Sequence, residues 1–267
     1  VPATPTGTAT ATTGTAKPNA TAAVTVPAVL RSEWIKIRSV RSSFGSLVAV
    51  LAVGLAMNLL LYVSVGGPEP DGKGDPVFRA LFHTNFAQIA AIAFGATAVS
   101  SEYLNGALRN SLAAVPRRGL LYAAKAAVVG GAALAVGLVT SFAAFFAGQA
   151  FAGEHAIGIG APGALRGCFG AGLYLALMAL LAFGLTFLLR SAVGSLSILV
   201  PALLMLPFVL GDIASGAAQY LPDQAGTRVL YQTPTGDLTA WTGLGVTALW
   251  AAAALLAGWW ALRRRDA

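Results

Sequence analysis

Charge is what this sequence has least of. Asp, Glu, Lys and Arg supply 10% of its residues, against roughly a quarter in a soluble domain. So few charges cannot cover a water-facing surface, and the 57% of hydrophobic residues require lipid as their solvent. Cysteine is nearly absent too. Cys168 is alone, so no disulfide forms within the chain, and its apolar surroundings read as those of a small buried hydrophobe. Histidine occurs twice, as His83 and His155, with no Gly-x-Ser-x-Gly elbow and no His-Glu-x-x-His helix. Catalysis and metal binding therefore have no residues to rest on. Gly67 to Gly74, GPEPDGKG, approaches a phosphate-binding loop, but Gly74 stands where Ser or Thr must hold magnesium, and Glu69 and Asp71 would repel phosphates. The chain has no ATPase site of its own. The net charge of +7 comes without aromatic platforms or a solvated basic stripe, which argues against nucleic acid.

Six stretches carry no Asp, Glu, Lys or Arg: Ser42–Pro68, Ala80–Ser101, Ala126–Gly153, Gly167–Leu189, Ser191–Gly211 and Leu238–Leu262. Each has the ~20 residues a helix needs to span the hydrocarbon core. Helices satisfy their own backbone in lipid, and the short alternating segments of a barrel are missing. The fold class is therefore an all-α polytopic membrane protein of about six transmembrane helices. With the N-terminus inside, cytoplasmic segments hold 13 of the 17 basic residues, and Lys73, Arg79, Arg166 and Arg228 fall outside. The positive-inside rule thus sets both termini in the cytoplasm of a multi-pass protein of the cell membrane.

Three domains follow. Residues 1–27, mostly Thr, Ala and Pro, read as a disordered cytoplasmic tail without the apolar core of a signal peptide. Residues 28–44 form an imperfect amphipathic helix for the cytoplasmic headgroup layer. Its apolar face is Leu30, Trp34, Ile37, Val40 and Phe44; Arg31, Lys36 and Arg38 lie off it, and Glu33 and Arg41 intrude. Residues 45–267 form the transmembrane domain, with a cytoplasmic loop at 101–120 and an extracytoplasmic segment at 212–237. Within that segment IASGAAQYLP is apolar but too short to span, so it dips into the membrane or packs on the outer ends of the spans. Arg190 alone separates the fourth and fifth spans, which implies a tight turn. Pro201 and Pro207 should kink or interrupt the fifth.

No span carries a charge at its middle, which argues against ion-coupled transport. Scattered amides and hydroxyls either bond across helices or line a substrate path, with Asn58, Asn85, Gln88 and Thr140 the candidates. In the third span Gly131/Ala135 and Gly137/Ser141 offer small-residue faces.

The most informative segment is Ser101–Lys125, SEYLNGALRNSLAAVPRRGLLYAAK. Glu102, Asn105 and Arg109 share one helical face, and Leu104, Leu108 and Leu112 another. A break at Pro116 and a basic cluster follow. This segment resembles the cytoplasmic coupling loop of type-2 ABC transporter permeases, with matches at Glu102, Tyr103, Gly106, Leu108, Arg109, Pro116, Arg117, Arg118 and Lys125. It departs at Ala107, where Thr is usual. Leu30–Phe44, with Trp34, Lys36, Arg38 and Arg41, resembles the family's basic helix before the first span. Tyr220–Gly226, Leu238–Leu244 and the closing RRRDA resemble actinobacterial members.

The resemblance implies a permease subunit of an ABC exporter, not itself an enzyme. Glu102, Tyr103, Gly106, Arg109, Pro116, Arg117 and Arg118 would couple it to a separate ATP-binding subunit that carries ATP and magnesium. Two permeases would pair, as a homodimer or with a second permease. Two other functions stand beside this one: a non-transporting sensor or scaffold partnered with an ATPase, and a carrier or channel that works without ATP.

Overall fold

A computed structural model describes residues 25–65, 74–103, 107–115, 117–153, 156–211, 215–234 and 236–264, without the side chains of 65, 207, 208, 210, 211 and 215. Most of the N-terminal tail, Gly67–Lys73, His155, Gly106 and Pro116 lie outside the described residues. All regular structure among those residues is helical. The chain opens with α1 (Val26–Ser39) and α2 (Arg41–Val65). A short α3 (Pro76–Ala80) leads into α4 (Thr84–Tyr103), α5 (Ala107–Ala114) and the long α6 (Arg118–Phe151). Next come α7 (Ala164–Leu189) and α8 (Ala192–Gly211). The short α9 (Ser215–Ala218), α10 (Pro222–Gly226) and a 3-10 turn (Thr227–Leu230) precede α11 (Ala240–Arg264).

Among the described residues four helices are long and apolar enough to cross a membrane: Arg41–Ser64, Arg118–Phe151, Ala164–Leu189 and Ala240–Arg264. The two other charge-free stretches also hold helices, but of a different kind. In α4, Asn85 and Gln88 dilute the apolar run, and most of the helix is buried in protein. In α8 the apolar stretch Ala192–Leu206 is shorter. The helix runs unbroken across Pro201 and Pro207, where the sequence suggested a kink or interruption.

The hub is α7, an apolar helix packed on by α4, α6 and α11. Helices that are hydrophobic all round belong inside, and Tyr174, Leu175, Met178 and Phe183 are fully enclosed. Lipid supplies little hydrophobic force between helices, so close approach through small residues takes over. At Gly95, an added Cβ would run into the backbone carbonyl of Ala179 on α7. On the other side a Cβ at Gly258 would fall 2.6 Å from the Gly184 carbonyl oxygen. Gly137 packs on Gly172 of α7, whereas Gly131 has nothing within 4 Å. The two small-residue faces of α6 therefore point to different surroundings, one into the protein and one outward.

At one end of the molecule, hereafter the basic end, gather α1, α5, the start of α6 and the ends of α4, α7 and α11. Arg190 adopts the left-handed conformation (φ 57) and terminates α7 by donating its N–H to Thr186 O at 2.7 Å. This is the tight turn read from the sequence. At the opposite end Asp75 caps α3 through Val77 and Phe78 N–H, both at 3.0 Å. Its other oxygen accepts Gln232 N–H at 2.7 Å, fastening the segment before α11 to the start of α3. Arg166 adds a bond to Tyr231 O at 2.7 Å. Of the stretch read as dipping or packing, residues 213 and 214 lie outside the described ones and α9 packs on α8; the residues after it, α10 and the 3-10 turn, pack against α7 and α11.

The glycine contacts give a direct test. Gly95→Leu is expected to destabilise the protein by about 3 kcal/mol or more by overpacking, and Gly131→Leu to leave melting in detergent unchanged. Equal melting temperatures for the two variants would contradict the packing described.

Candidate functional site at the basic end

The basic end is built around four buried or half-buried charges from three helices. Glu33 and Lys36 come from α1, Glu102 from α4 and Lys125 from α6. Lys125 Nζ lies 2.9 Å from Glu102 Oε1 and 2.5 Å from Glu33 Oε2, the latter an ion pair outside hydrogen-bond angles. Lys36 Nζ donates to Glu33 Oε1 at 2.8 Å and to Glu102 Oε1 at 3.0 Å. Ser111 of α5 completes the junction: its hydroxyl donates to Glu102 Oε2 and accepts from Lys36, both at 2.9 Å. Glu33, Glu102 and Lys125 are 1%, 3% and 4% exposed. Such burial is tolerable only because each charge has opposite partners at contact distance. Burial alone would raise the Glu102 carboxyl; the Lys125 ammonium, and behind it Lys36, outweigh this and hold it down at about 2. Burial likewise works against the Lys36 ammonium, but Glu33 and then Glu102 prevail and its pKa is raised.

The sequence makes this junction by local rules. Val29, Glu33 and Ile37, at spacings of four, are the buried residues of α1, which rests on α6. This corrects the expected apolar face. Trp34 is 41% exposed and Phe44 also faces outward. Glu33, read as an intrusion, is the anchor. The expected helix over 28–44 also divides. Val40 is extended (φ −86, ψ 110), and Arg41 and Phe44 belong to α2. The start corrects as well: Val26 and Pro27 open α1, with Pro in its first turn, rather than closing the tail. In α5, Leu108 is buried and Leu112 half-buried, while Arg109 and Asn110 are exposed. Of the two-faced helix expected here, Leu104, Asn105 and Gly106 lie outside the described residues and Glu102 belongs to α4, while α5 turns Leu108 inward and Arg109 outward.

A second layer surrounds the junction. Tyr103 stacks edge-on with Phe187 of α7 at 6.1 Å, and the Arg190 guanidinium sits 5.9 Å from its ring centre. Tyr122 packs on Phe183 and Phe187 and donates to Leu255 O at 2.7 Å. Arg118 reaches Leu262 O at 3.3 Å, tying the start of α6 to the end of α11. Arg38, Arg41 and Arg117 are exposed.

The expected path residues fall at separate interfaces. Asn58 donates to Ala144 O across the α2–α6 contact, where Thr140 bonds to Val136 O at 2.7 Å. Gln88 accepts from the Tyr174 hydroxyl between α4 and α7 and donates to Asn85 O at 3.1 Å; Asn85 donates to Phe82 O at 3.1 Å. The sequence reading missed Glu33 and Ser111 and gave Lys125 no role beyond the loop pattern. The signal was there in a Glu on an apolar face of one helix and a Lys inside the apolar start of another.

A bundle of apolar helices, four of them long and apolar enough to cross a membrane among the described residues, with a charged junction at one end, fits a multi-pass membrane protein. The chain belongs to the ABC-2 family transporter proteins, whose family model matches residues 29–206. It is thus a membrane subunit of the permease type. No curated protein and no solved structure matches it.

The junction predicts a pH dependence. A carboxyl depressed from 4.5 to about 2 contributes stability that is present above about pH 4.5 and is lost as pH falls through 2. Glu102→Gln is expected to melt earlier at neutral pH by about 3 kcal/mol, the cost of breaking a buried pair, and the gap to wild type should close towards pH 2. A gap that stays constant down to pH 2 would contradict an ionised Glu102.

Proposed function

We propose that this chain is the membrane-spanning permease of an ABC exporter, energised by ATP hydrolysis on a separate ATP-binding subunit. The observation that carries this reading is the junction itself. Within a chain of the ABC-2 family, it joins α5, the coupling-like helix, to α1, α4 and α6. The ATP-binding subunit presses on the exposed side of α5 and the stretch after it, at Arg109, Asn110 and Arg117. Gly106 and Pro116 belong to the same loop. Glu102 works from behind, passing displacement of α5 to the spans, and so is a positioning residue. Tyr103, against Phe187 and Arg190, carries the same motion to the α7–α8 turn.

The spans number six, with α4 and α8 among them and both termini in the cytoplasm of the cell membrane. The 34 residues of α6 measure about 51 Å, against ~30 Å of hydrocarbon, so its first turns with Arg118, Tyr122 and Lys125 stand in the cytoplasmic layer. There α1 lies along the headgroups, with Arg31, Trp34, Ile35 and Arg38 together on its exposed face. The working unit is a pair of permeases, two copies or this chain with a second one, since six helices alone make a thin wall for a path. Asn58, Asn85, Gln88 and Thr140 stay as candidates for that path.

Two experiments test this. In co-purification, Arg109→Glu with Arg117→Glu is expected to lose the ATP-binding subunit at least tenfold while the permease stays folded; unaltered assembly and ATP-dependent transport would exclude this docking face. For topology, single cysteines in a Cys168→Ser background should react with a membrane-impermeant maleimide from outside at Gly74→Cys and only after permeabilisation at Asn110→Cys. The reverse pattern would invert the protein.

A further inference from the structure

A cavity of about 370 Å³ lies between α7, α8, α10 and α11, within the size range of ligand sites. Its wall is aliphatic, with Leu181 from α7, Leu199 and Leu203 from α8 and Ala254 from α11, and Trp250 beside them. Asp223 of α10 is the one ionisable residue among the described residues of that wall. It is 7% exposed. Its Oδ2 accepts from Gln224 Nε2 at 3.0 Å and the backbone N–H groups of Gln224 and Asp223 lie towards the carboxylate, while Oδ1 is buried with no partner at hydrogen-bond distance and angle among the described residues. The ring donors nearby are committed elsewhere, the Trp250 indole N–H to Tyr220 O at 3.0 Å and the Tyr174 hydroxyl to Gln88.

A buried carboxylate oxygen without a donor is costly, and Asp223 has little freedom to leave. Thr247 Oγ1 donates to Pro222 O at 2.8 Å, and a Cβ at Gly226 would fall 2.7 Å from that same hydroxyl. Thus α10 is pinned against α11 on both sides of Asp223. Gly226 also packs on Tyr174, ten residues into α7 and so about 15 Å from its start. The carboxylate is therefore held well inside the helix bundle beside an apolar volume. Such a wall accepts a hydrocarbon body, and such a carboxylate accepts one cationic donor and repels an anion.

We infer that this cavity binds an amphipathic amine, its alkyl portion among the leucines of α7 and α8 and its ammonium donating to Asp223 Oδ1. The inference deepens the permease reading and rests on it for the next step: amphipathic amines are then the substrate class. Asp223 and Trp250 lie beyond the matched stretch 29–206, whereas Leu181, Leu199 and Leu203 lie within it.

The test uses the full chain in lipid nanodiscs, titrated with dodecylamine, dodecanol and dodecanoate and followed by tryptophan fluorescence. The amine is expected to bind at least tenfold more tightly than the alcohol, and dodecanoate most weakly. Asp223→Asn should bring amine and alcohol to equal affinity, and Leu203→Trp, which fills the cavity, should weaken both. Equal binding of amine and alcohol by wild type would overturn the inference, as would an amine preference that survives in Asp223→Asn. If Asp223→Asn does not fold, Leu203→Trp decides: weaker binding of both amine and alcohol supports the site, and unchanged binding of the amine overturns it. Amine binding by a chain that captures no ATP-binding subunit would defeat the permease reading alone. Capture of that subunit without amine preference would defeat this inference alone.

Discussion

Everything at the basic end depends on Lys125 meeting two carboxylates, Glu33 and Glu102, from different helices. Apolar helices in lipid have little hydrophobic reason to hold one relative position. Small residues let α4, α6 and α11 approach α7 closely, but they do not tie the helices outside the spans to those within. The charges do. Each is expensive to bury alone, and removing one leaves its partners uncompensated. The junction is therefore nearly all-or-none: α1, the end of α4, α5 and the start of α6 hold together or come apart together. That is a useful property in a part that must pass on a push.

Under the proposed coupling, the rest of the molecule is what that junction would push on. Along α6 a displacement at Lys125 reaches the contacts with α7 near Gly137 and Gly172. Through Tyr103 and Arg190 it reaches the left-handed turn that joins α7 to α8. From Tyr122 and Arg118 it reaches the last turns of α11 through two backbone carbonyls. The far end is fastened differently, by Asp75 on Gln232 and by Arg166 on Tyr231. Those bonds hold loops to helix ends.

Much of the fold was legible in the sequence, because lipid imposes a simple rule on charge. Each of the six charge-free stretches contains a helix, and Arg190 marks a turn that needs only two residues between helices. The limits were also physical. Asn85 and Gln88 make α4 less apolar than a lipid-facing helix, and only the fold shows that protein surrounds it. Val40 carries no sequence mark of a break, so the boundary between the first two helices read at 44 rather than at 40. At the site, Glu102, Arg109 and Ser101–Lys125 stood out as a segment, but a linear pattern does not say which side faces in. Glu102 spaced with Arg109 suggested a common docking face; instead Glu102 is buried and Arg109 exposed. The partners of Glu102 lie 66 and 23 residues away, and neither Lys36 nor Lys125 is paired with it by any spacing rule.

Coupling through the junction is the central claim, and ATP-driven transport by the reconstituted complex of permease and ATP-binding subunit tests it most directly. With Lys125→Gln, measured below the melting temperature of that variant, the account predicts that ATP hydrolysis continues while transport falls at least tenfold. Transport at the wild-type rate with Lys125 gone would contradict it.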